Sequence, residues 1–236
     1  MTPQPAYWAV IPAAGTGARM AADLPKQYLK LGHRCVLEHT LELFCNHEKI
    51  QGIIVVLAEQ DRIWETLDIA RNNKIQTTTG GAERYHSVYN GLQSLATVAH
   101  QNDWVMVHDA ARPCLLPSDI DHLIEEVSGH SSGGILATPA KDTMKRVGQH
   151  NEIVETIDRR GLWHALTPQM FRLNVLESAL EKVIANKISV TDEAQAVELT
   201  GARPVLVEGR PDNIKITHPD DLVLARFILQ QQGRDL

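Results

Sequence analysis

The chain has 236 residues and a mass of 26.2 kDa. Lys and Arg number 23 against 29 Asp and Glu, a formal charge of −6, and 43% of the residues are hydrophobic. That apolar content excludes global disorder, and the acidic balance argues against a nucleic-acid-coating protein, whose affinity comes largely from excess positive charge.

Tyr7–Pro12 reads as a first strand, apolar on both faces, and Val36–His47 as an amphipathic helix. Gly52–Leu57 is predicted as a strand, Arg62–Asn72 as a helix and Ile75–Thr79 as a third strand stopped by Gly80-Gly81. Arg84–Leu95 follows as a helix, Trp104–His108 as a strand, and Ser118–Val127 as a helix with Ser118 as N-cap and Asp121 completing a capping box. Gly134–Thr138 is a further strand. Beyond Ala140 the rhythm breaks: Lys141–Val147 and Ile153–Ile157 are short, polar and extended, the pattern of a hairpin arm covering 139–160. Leu173–Val183 and Asp192–Leu199 then read as helices, Pro204–Glu208 and Asn213–Thr217 as strands, and Pro219–Gln232 as a last helix.

This alternation predicts an α/β, Rossmann-like fold: a mostly parallel sheet with helices on both faces, in one domain spanning 1–236. The three cysteines, Cys35, Cys45 and Cys114, form no CxxC pair, which fits a reducing, cytoplasmic compartment. Met1–Tyr7 carries no Lys or Arg and does not read as a secretory signal. The longest purely apolar run, Ile53–Ala58, is six residues, so no membrane span is expected.

Ligands of such sheets bind at the carboxyl ends of the strands. The informative loops are therefore Ala13–Arg19, Gly80–Arg84 and Asp109–Pro113. The first runs Pro12-Ala13-Ala14-Gly15-Thr16-Gly17-Ala18-Arg19-Met20. Small residues let backbone N–H groups approach a phosphate. Met20 stands where GxGxxG needs glycine, and no GK[ST] follows, so neither a dinucleotide fingerprint nor a Walker A loop is present. Two cations close by, Arg19 and Lys26, suit a polyphosphate undergoing substitution; either could instead be a solvated surface cation.

Asp109 follows an apolar strand, where a carboxylate can hold Mg²⁺ together with phosphate and water. The same residue could instead cap a helix or pair with Arg112. His108 is read as structural, and Cys114 as a buried thiol.

The sequence Ala13-Ala14-Gly15-x-Gly17-x-Arg19-Met20, with Pro25-Lys26-Gln27-Tyr28-Leu29, resembles the opening of the nucleotide-diphospho-sugar transferase-like nucleotidyltransferases. Within them it resembles the 2-C-methyl-D-erythritol 4-phosphate cytidylyltransferase family of the non-mevalonate isoprenoid pathway. The match continues through Gly80-Gly81-x-x-Arg84-x-x-Ser87-Val88, Val107–Pro113 and Asp142–Lys145. It then takes in Asp158-Arg159, Trp163–Gln169, Thr191–Ala194 and Glu208-Gly209-x-x-x-Asn213-Ile214-Lys215, so it runs in order along nearly the whole chain.

The resemblance implies cytidylyl transfer from CTP to 2-C-methyl-D-erythritol 4-phosphate, with Mg²⁺ on Asp109. Arg19 and Lys26 would stabilise the α-phosphate, and Lys215 and Arg159 would position the nucleophile. Pro12, Ala13, Ala14, Gly15, Thr16, Gly17, Gly80, Gly81 and Ser87 would take the nucleotide. Asp109, Arg112, Thr143, Thr167 and Thr191 would take the second substrate. Ala82 stands where relatives often carry Asp and is left out of the site. The family exchanges its arm between subunits, so a homodimer is implied, with Arg159 acting on the partner's site. A ribitol-5-phosphate cytidylyltransferase and a non-catalytic nucleotide-binding module on the same fold remain the rivals.

Overall fold

The computed structural model describes residues 4–15 and 24–234. The expected loop residues Thr16, Gly17 and Arg19 lie outside the described residues.

The first strand is β1 (Tyr7–Pro12), followed by a 3-10 turn at Lys26–Tyr28 and a small hairpin, β2 (Lys30–Leu31) and β3 (Arg34–Cys35). Next come α1 (Val36–Asn46), β4 (Ile50–Leu57), β5 (Ile75–Thr79), α2 (Arg84–Leu95), β6 (Trp104–Val107), α3 (Pro117–Val127) and β7 (Gly134–Pro139). The arm is β8 (Met144–Val147) and β9 (Ile153–Ile157). The chain ends with β10 (Trp163–Arg172), α4 (Leu173–Ala185), α5 (Glu193–Glu198), β11 (Val205–Glu208) and α6 (Pro219–Gln231).

Seven strands form one sheet in the order β11-β7-β10-β6-β1-β4-β5. Every pairing is parallel except those of β10, which runs antiparallel to both β6 and β7. The chain leaves β1 toward β4 and β5, then returns to place β6 on the other side of β1. That reversal opens a crevice at the carboxyl ends of β1 and β6. Alternation along β1 sends Ala9 and Ile11 into the layer under α1 and α3, and Val10 into the layer under α2, α4 and α5. Each face is closed by fully buried side chains such as Phe44 and Leu92, each contributing about 1.5–3 kcal/mol.

Four readings of the sequence are corrected. Arg62–Asn72 forms no α-helix but two 3-10 turns, Trp64–Thr66 and Asp68–Arg71, separated by an extended Leu67. Asp61 explains the first: its Oδ1 accepts the N–H groups of Ile63 and Trp64 at 2.9 and 3.0 Å, and its Oδ2 accepts the Tyr28 hydroxyl at 2.7 Å. Ser118 is not an N-cap. Pro117 takes the first helical position, where its missing N–H costs nothing, and Asp119 accepts the N–H of Leu116, the cap residue, at 2.9 Å. Asp121 pairs instead with Lys49 at 2.5 Å.

Asn213–Thr217 is not a strand. Its backbone goes to the loop after β6: Ile216 N–H donates to Ala111 O at 2.8 Å, and Asn213 O accepts from Arg112 at 2.6 Å. Finally, β10 is a central strand where the sequence showed only a motif. Pro168 cannot donate to a ladder, and the pairing register with β7 shifts between Ala165 and Gln169 around it.

Candidate active site

The loops after β1, β5 and β6 meet at the crevice, joined by Lys215 from the segment after β11. A cavity of about 230 Å³ lies between Ala13–Gly15, Lys26 and the Gly81–Arg84 turn. A second cavity, of about 220 Å³, lies between Arg112, Thr167, Gln169, Thr191 and Asp192. Arg84, Asp109 and Lys215 line both. The two compartments thus adjoin across one carboxylate and two cations.

The first cavity is shaped by backbone. Gln27, buried in the Lys26–Tyr28 turn, donates from Nε2 to Ala13 O at 2.6 Å and to Gly15 O at 3.2 Å, which anchors the loop after β1. Gly80 stands behind this wall rather than in it, because a Cβ there would lie 2.5 Å from the Ala14 Cβ and 2.9 Å from Ser87 Oγ. The Ser87 hydroxyl donates to Glu83 O at 3.2 Å and accepts the Gly81 N–H at 3.1 Å, fixing the turn that enters α2. Ala82, left out by the sequence reading, lines this cavity. Lys26 reaches across to donate from Nζ to Ile216 O at 3.0 Å.

Asp109 sits at the junction and is buried. Its Oδ1 accepts from Arg84 Nε at 3.1 Å; its Oδ2 faces Lys215 Nζ at 2.8 Å and Arg112 Nε at 3.4 Å. Burial opposes its ionisation, yet the charges of Arg84, Lys215 and Arg112 hold its carboxyl well below the usual carboxylate range. The pairing with Arg112 weighed from the sequence therefore exists, as the longest of three.

Behind Asp109 a chain of polar groups has its protons assigned by elimination. Arg112 O can only accept, so His108 donates from Nε2 to it at 3.0 Å. His108 Nδ1 is then an acceptor for the Thr167 hydroxyl at 3.0 Å, and Thr167 Oγ1 accepts the Asp109 N–H at 3.1 Å. Burial pushes the His108 imidazole down to about 4, so it is neutral at pH 7. Thus His108 braces the loop, as read from the sequence, and Thr167 spends its hydroxyl on positioning Asp109.

Asn213 closes the same wall, donating from Nδ2 to Thr167 O at 2.8 Å while its carbonyl accepts from Arg112. Thr191 stands at the exposed rim, its N–H and hydroxyl both donating to Gln195 Oε1. Cys114 is buried, and burial pushes its thiol up to about 12, so it supplies no nucleophile at neutral pH.

The structure therefore gathers Pro12, Ala13, Ala14, Gly15, Lys26, Gly81, Ser87 and Asp109 around one cavity, and Arg112, Thr167, Thr191 and Lys215 around its neighbour. Thr143 and Arg159 lie exposed at the arm and line neither cavity of their own chain. Sequence reasoning missed Gln27, Arg84, Glu193 and Asn213 as builders of the site. All four fell within quoted motifs, but Arg84 and Glu193 pair across 109 positions, which no local spacing reveals.

The fold and the strand-end crevice, with lysine and arginine converging on one carboxylate, suit a nucleotidyltransferase. A family model described as IspD, 2-C-methyl-D-erythritol 4-phosphate cytidylyltransferase, matches residues 7–231. The 2-C-methyl-D-erythritol 4-phosphate cytidylyltransferase of Pseudomonas savastanoi pv. phaseolicola is 51% identical over 231 residues, covering 98% of each chain. The protein of that name from Pseudomonas fluorescens Pf0-1 is 53% identical over 223 residues, 94% of this chain and 95% of that one. The solved Francisella tularensis 2-C-methyl-D-erythritol 4-phosphate cytidylyltransferase superposes with a TM-score of 0.83 at 39% identity, over 95% of this chain and all of that one. The chain belongs to the 2-C-methyl-D-erythritol 4-phosphate cytidylyltransferase family.

Proposed function

We propose that the enzyme transfers the cytidylyl group of CTP to 2-C-methyl-D-erythritol 4-phosphate, giving 4-CDP-2-C-methyl-D-erythritol and pyrophosphate. The observation that carries this reading is the pair of adjoining cavities sharing Arg84, Asp109 and Lys215, which suits two phosphate-bearing substrates meeting at one point. CTP takes the cavity walled by Ala13–Gly15, Gly81 and Ser87; Thr16 and Gly17, next in the sequence, are assigned to the nucleotide by the resemblance. The methylerythritol phosphate takes the neighbouring one, near Arg112, Thr167 and Thr191.

The residues present fit a magnesium ion held the way that ion prefers, by one carboxylate with phosphates and water completing its shell. Among the described residues no cluster of three or more His, Cys, Asp or Glu could form an all-protein cage. Asp109 is the residue that would hold it, and the ion would supply charge neutralisation on the triphosphate. Lys215, about one-third exposed on its side chain, is the partner of Asp109 with room to turn toward a phosphate. Arg19 and Lys26 stabilise the charge that develops on the α-phosphate as the acceptor's phosphate oxygen attacks. No general base is required, since a phosphate monoester is already ionised at pH 7, and His108 is neutral and fully engaged.

The whole chain forms one catalytic domain with the 139–160 arm as its dimer device. Support comes from Val147, Ile153 and Val154 on that arm, 56 to 64% exposed and in need of cover. Arg159 and Thr143 would complete the acceptor cavity of a second copy. No described helix is long and apolar enough to cross a membrane, and three buried free thiols fit the reducing cytoplasm. A pyrophosphate-release assay tests the reaction, offering CTP, UTP, ATP and GTP against methylerythritol phosphate, ribitol 5-phosphate and sugar 1-phosphates, with and without Mg²⁺. Release with CTP and methylerythritol phosphate alone is expected. Silence with that pair, or preference for ribitol 5-phosphate, overturns the reading.

A further inference from the structure

Glu193 opens α5 and is wholly buried, yet it belongs to neither cavity wall. Its two carboxylate oxygens take both terminal nitrogens of Arg84, Oε1 from NH1 at 2.5 Å and Oε2 from NH2 at 3.1 Å. Only Arg84 Nε is left to face Asp109, at 3.1 Å. A buried ion pair is a poor way to gain stability, because desolvation consumes most of the attraction. What this pair does supply is orientation.

An arginine beside a carboxylate tends toward the two-pronged arrangement, with parallel N–H groups on both oxygens. Arg84 already touches Asp109 through Nε at 3.1 Å, and bringing a terminal nitrogen onto the carboxylate as well would cover further the group that the proposed reaction needs for a divalent cation. Glu193 takes the fork first.

We infer that Glu193 is a positioning residue that keeps the terminal nitrogens of Arg84 off Asp109, so that a divalent cation meets only the single Nε contact of Arg84 on that carboxylate rather than its fork. The inference rests on the function proposed above for the use of that cation, but its measurement does not depend on which acceptor the enzyme uses.

The rest of the surroundings agrees with this role. Arg84 is the first residue of α2, so it is anchored at its backbone to the Gly81–Ser87 turn. The N-terminus of α5 is held independently: Gln169 Oε1 accepts the Ala194 N–H at 2.9 Å, and Gln169 Nε2 donates to Asp192 at 2.9 Å. Removing the Glu193 charge therefore frees the Arg84 fork while leaving the frame of α5 tied down.

The test is Mn²⁺ titration of the full-length protein with CTP present, read by electron paramagnetic resonance, alongside thermal melting and circular dichroism. Glu193→Gln should weaken Mn²⁺ binding about tenfold with secondary structure intact. Adding Arg84→Ala to it should raise the Mn²⁺ affinity at least about threefold above that of Glu193→Gln, because the fork that covers Asp109 is gone. A purely structural role predicts no such rescue, since the second change removes another buried partner. Should Glu193→Gln fail to fold, Glu193→Asp, which retains charge but draws back from the fork by one methylene, should weaken Mn²⁺ binding severalfold. Wild-type Mn²⁺ affinity in either folded variant overturns the inference, as does a double variant no better than Glu193→Gln. Absence of pyrophosphate release from CTP and methylerythritol phosphate in the wild type overturns the reaction instead.

Discussion

The junction around Asp109 and the arm formed by β8 and β9 are built on opposite terms. At the junction each charge is answered within the chain: Asp109 by three cations, Arg84 also by Glu193, and Arg112 also by a carbonyl. The arm is a two-stranded ribbon, marginal on its own in water. Its cross-strand contacts, Arg146 with Glu155 and Lys145 with Thr156, are exposed and contribute little, while Ile153 and Val154 are each 64% exposed. The junction is preorganised before any ligand arrives. The arm carries Arg159 and Thr143, to which the proposed function assigns acceptor contacts, exposed and without a frame to aim them. This contrast is what the proposed sharing of the acceptor site between two subunits predicts for one subunit alone.

The contrast is broken most severely at its buried end. Asp109→Asn keeps the shape but leaves Arg112 and Lys215 without a carboxylate partner and Arg84 with Glu193 alone, and it removes the carboxylate on which the three cations converge. Turnover should fall about a thousandfold, the scale seen when a preorganised electrostatic group is lost. Steady-state pyrophosphate release measures it, and a variant within tenfold of wild type would remove Asp109 from the reaction. At the exposed end, Arg159→Ala should lower kcat/KM for the acceptor roughly a hundredfold, as expected for loss of a charge-assisted phosphate contact, with CTP affinity unchanged. Mixing it with an inactive Lys26→Ala subunit should restore activity if the arm crosses to the partner. A verified heterodimer without activity would show that Arg159 serves its own chain or none.

The same contrast explains which parts of the molecule were readable in the sequence. Strands β1 and β5 and helix α2 match their predicted bounds, because apolar alternation and punctuation by Pro12 and Gly80 are local signals. Loops after strands pointed to the site for the reason that carboxyl-end crevices exist at all. What stayed hidden is held by distant partners. The antiparallel course of β10 depends on β6 and β7, and Pro168 argues locally against a strand there. Asn213–Thr217 has strand-like residues but gives its hydrogen bonds to the loop after β6. Glu193 looks like one more acidic residue at a helix start until Arg84, from the start of α2, closes on it.

The buried brace behind Asp109 makes a smaller and pH-dependent prediction. His108 is held neutral, its folded value lowered to about 4 by burial and, less, by the charge of Arg112. A lowered value means that the unfolded chain binds the proton first. The stabilising contribution is therefore complete above the ordinary histidine value and is lost as pH falls from about 6.5 toward 4. Its full extent is roughly 3 kcal/mol, from about 1.4 kcal/mol per pKa unit. His39 and His47 are lowered in the same direction, so the informative quantity is a difference. His108→Gln, which can still donate to Arg112 O, should be less stable than wild type at pH 7 and lose less stability between pH 7 and 4.5. Urea denaturation at the two pH values measures this, and parallel losses in both proteins would show that His108 does not titrate with folding. Asp109 acts in a separate window: its depressed value gives stability that is present above about 4 and lost only in stronger acid.

The smallest expected effect probes the wall rather than the charges. Ser87→Ala removes the acceptor of the Gly81 N–H and one bond to Glu83 O, but it leaves α2 its Val88 and Leu92 packing against the sheet. The lost hydrogen bond is worth about 1 kcal/mol. The KM for CTP should therefore rise about fivefold, while the acceptor KM, which the proposal assigns to the other cavity, stays within twofold. A change confined to CTP would assign the Gly81 turn to nucleotide placement. Equal changes for both substrates would mean that the turn supports the junction as a whole, through Arg84 at the start of the same helix, and that the two cavities are less independent than their separate walls imply.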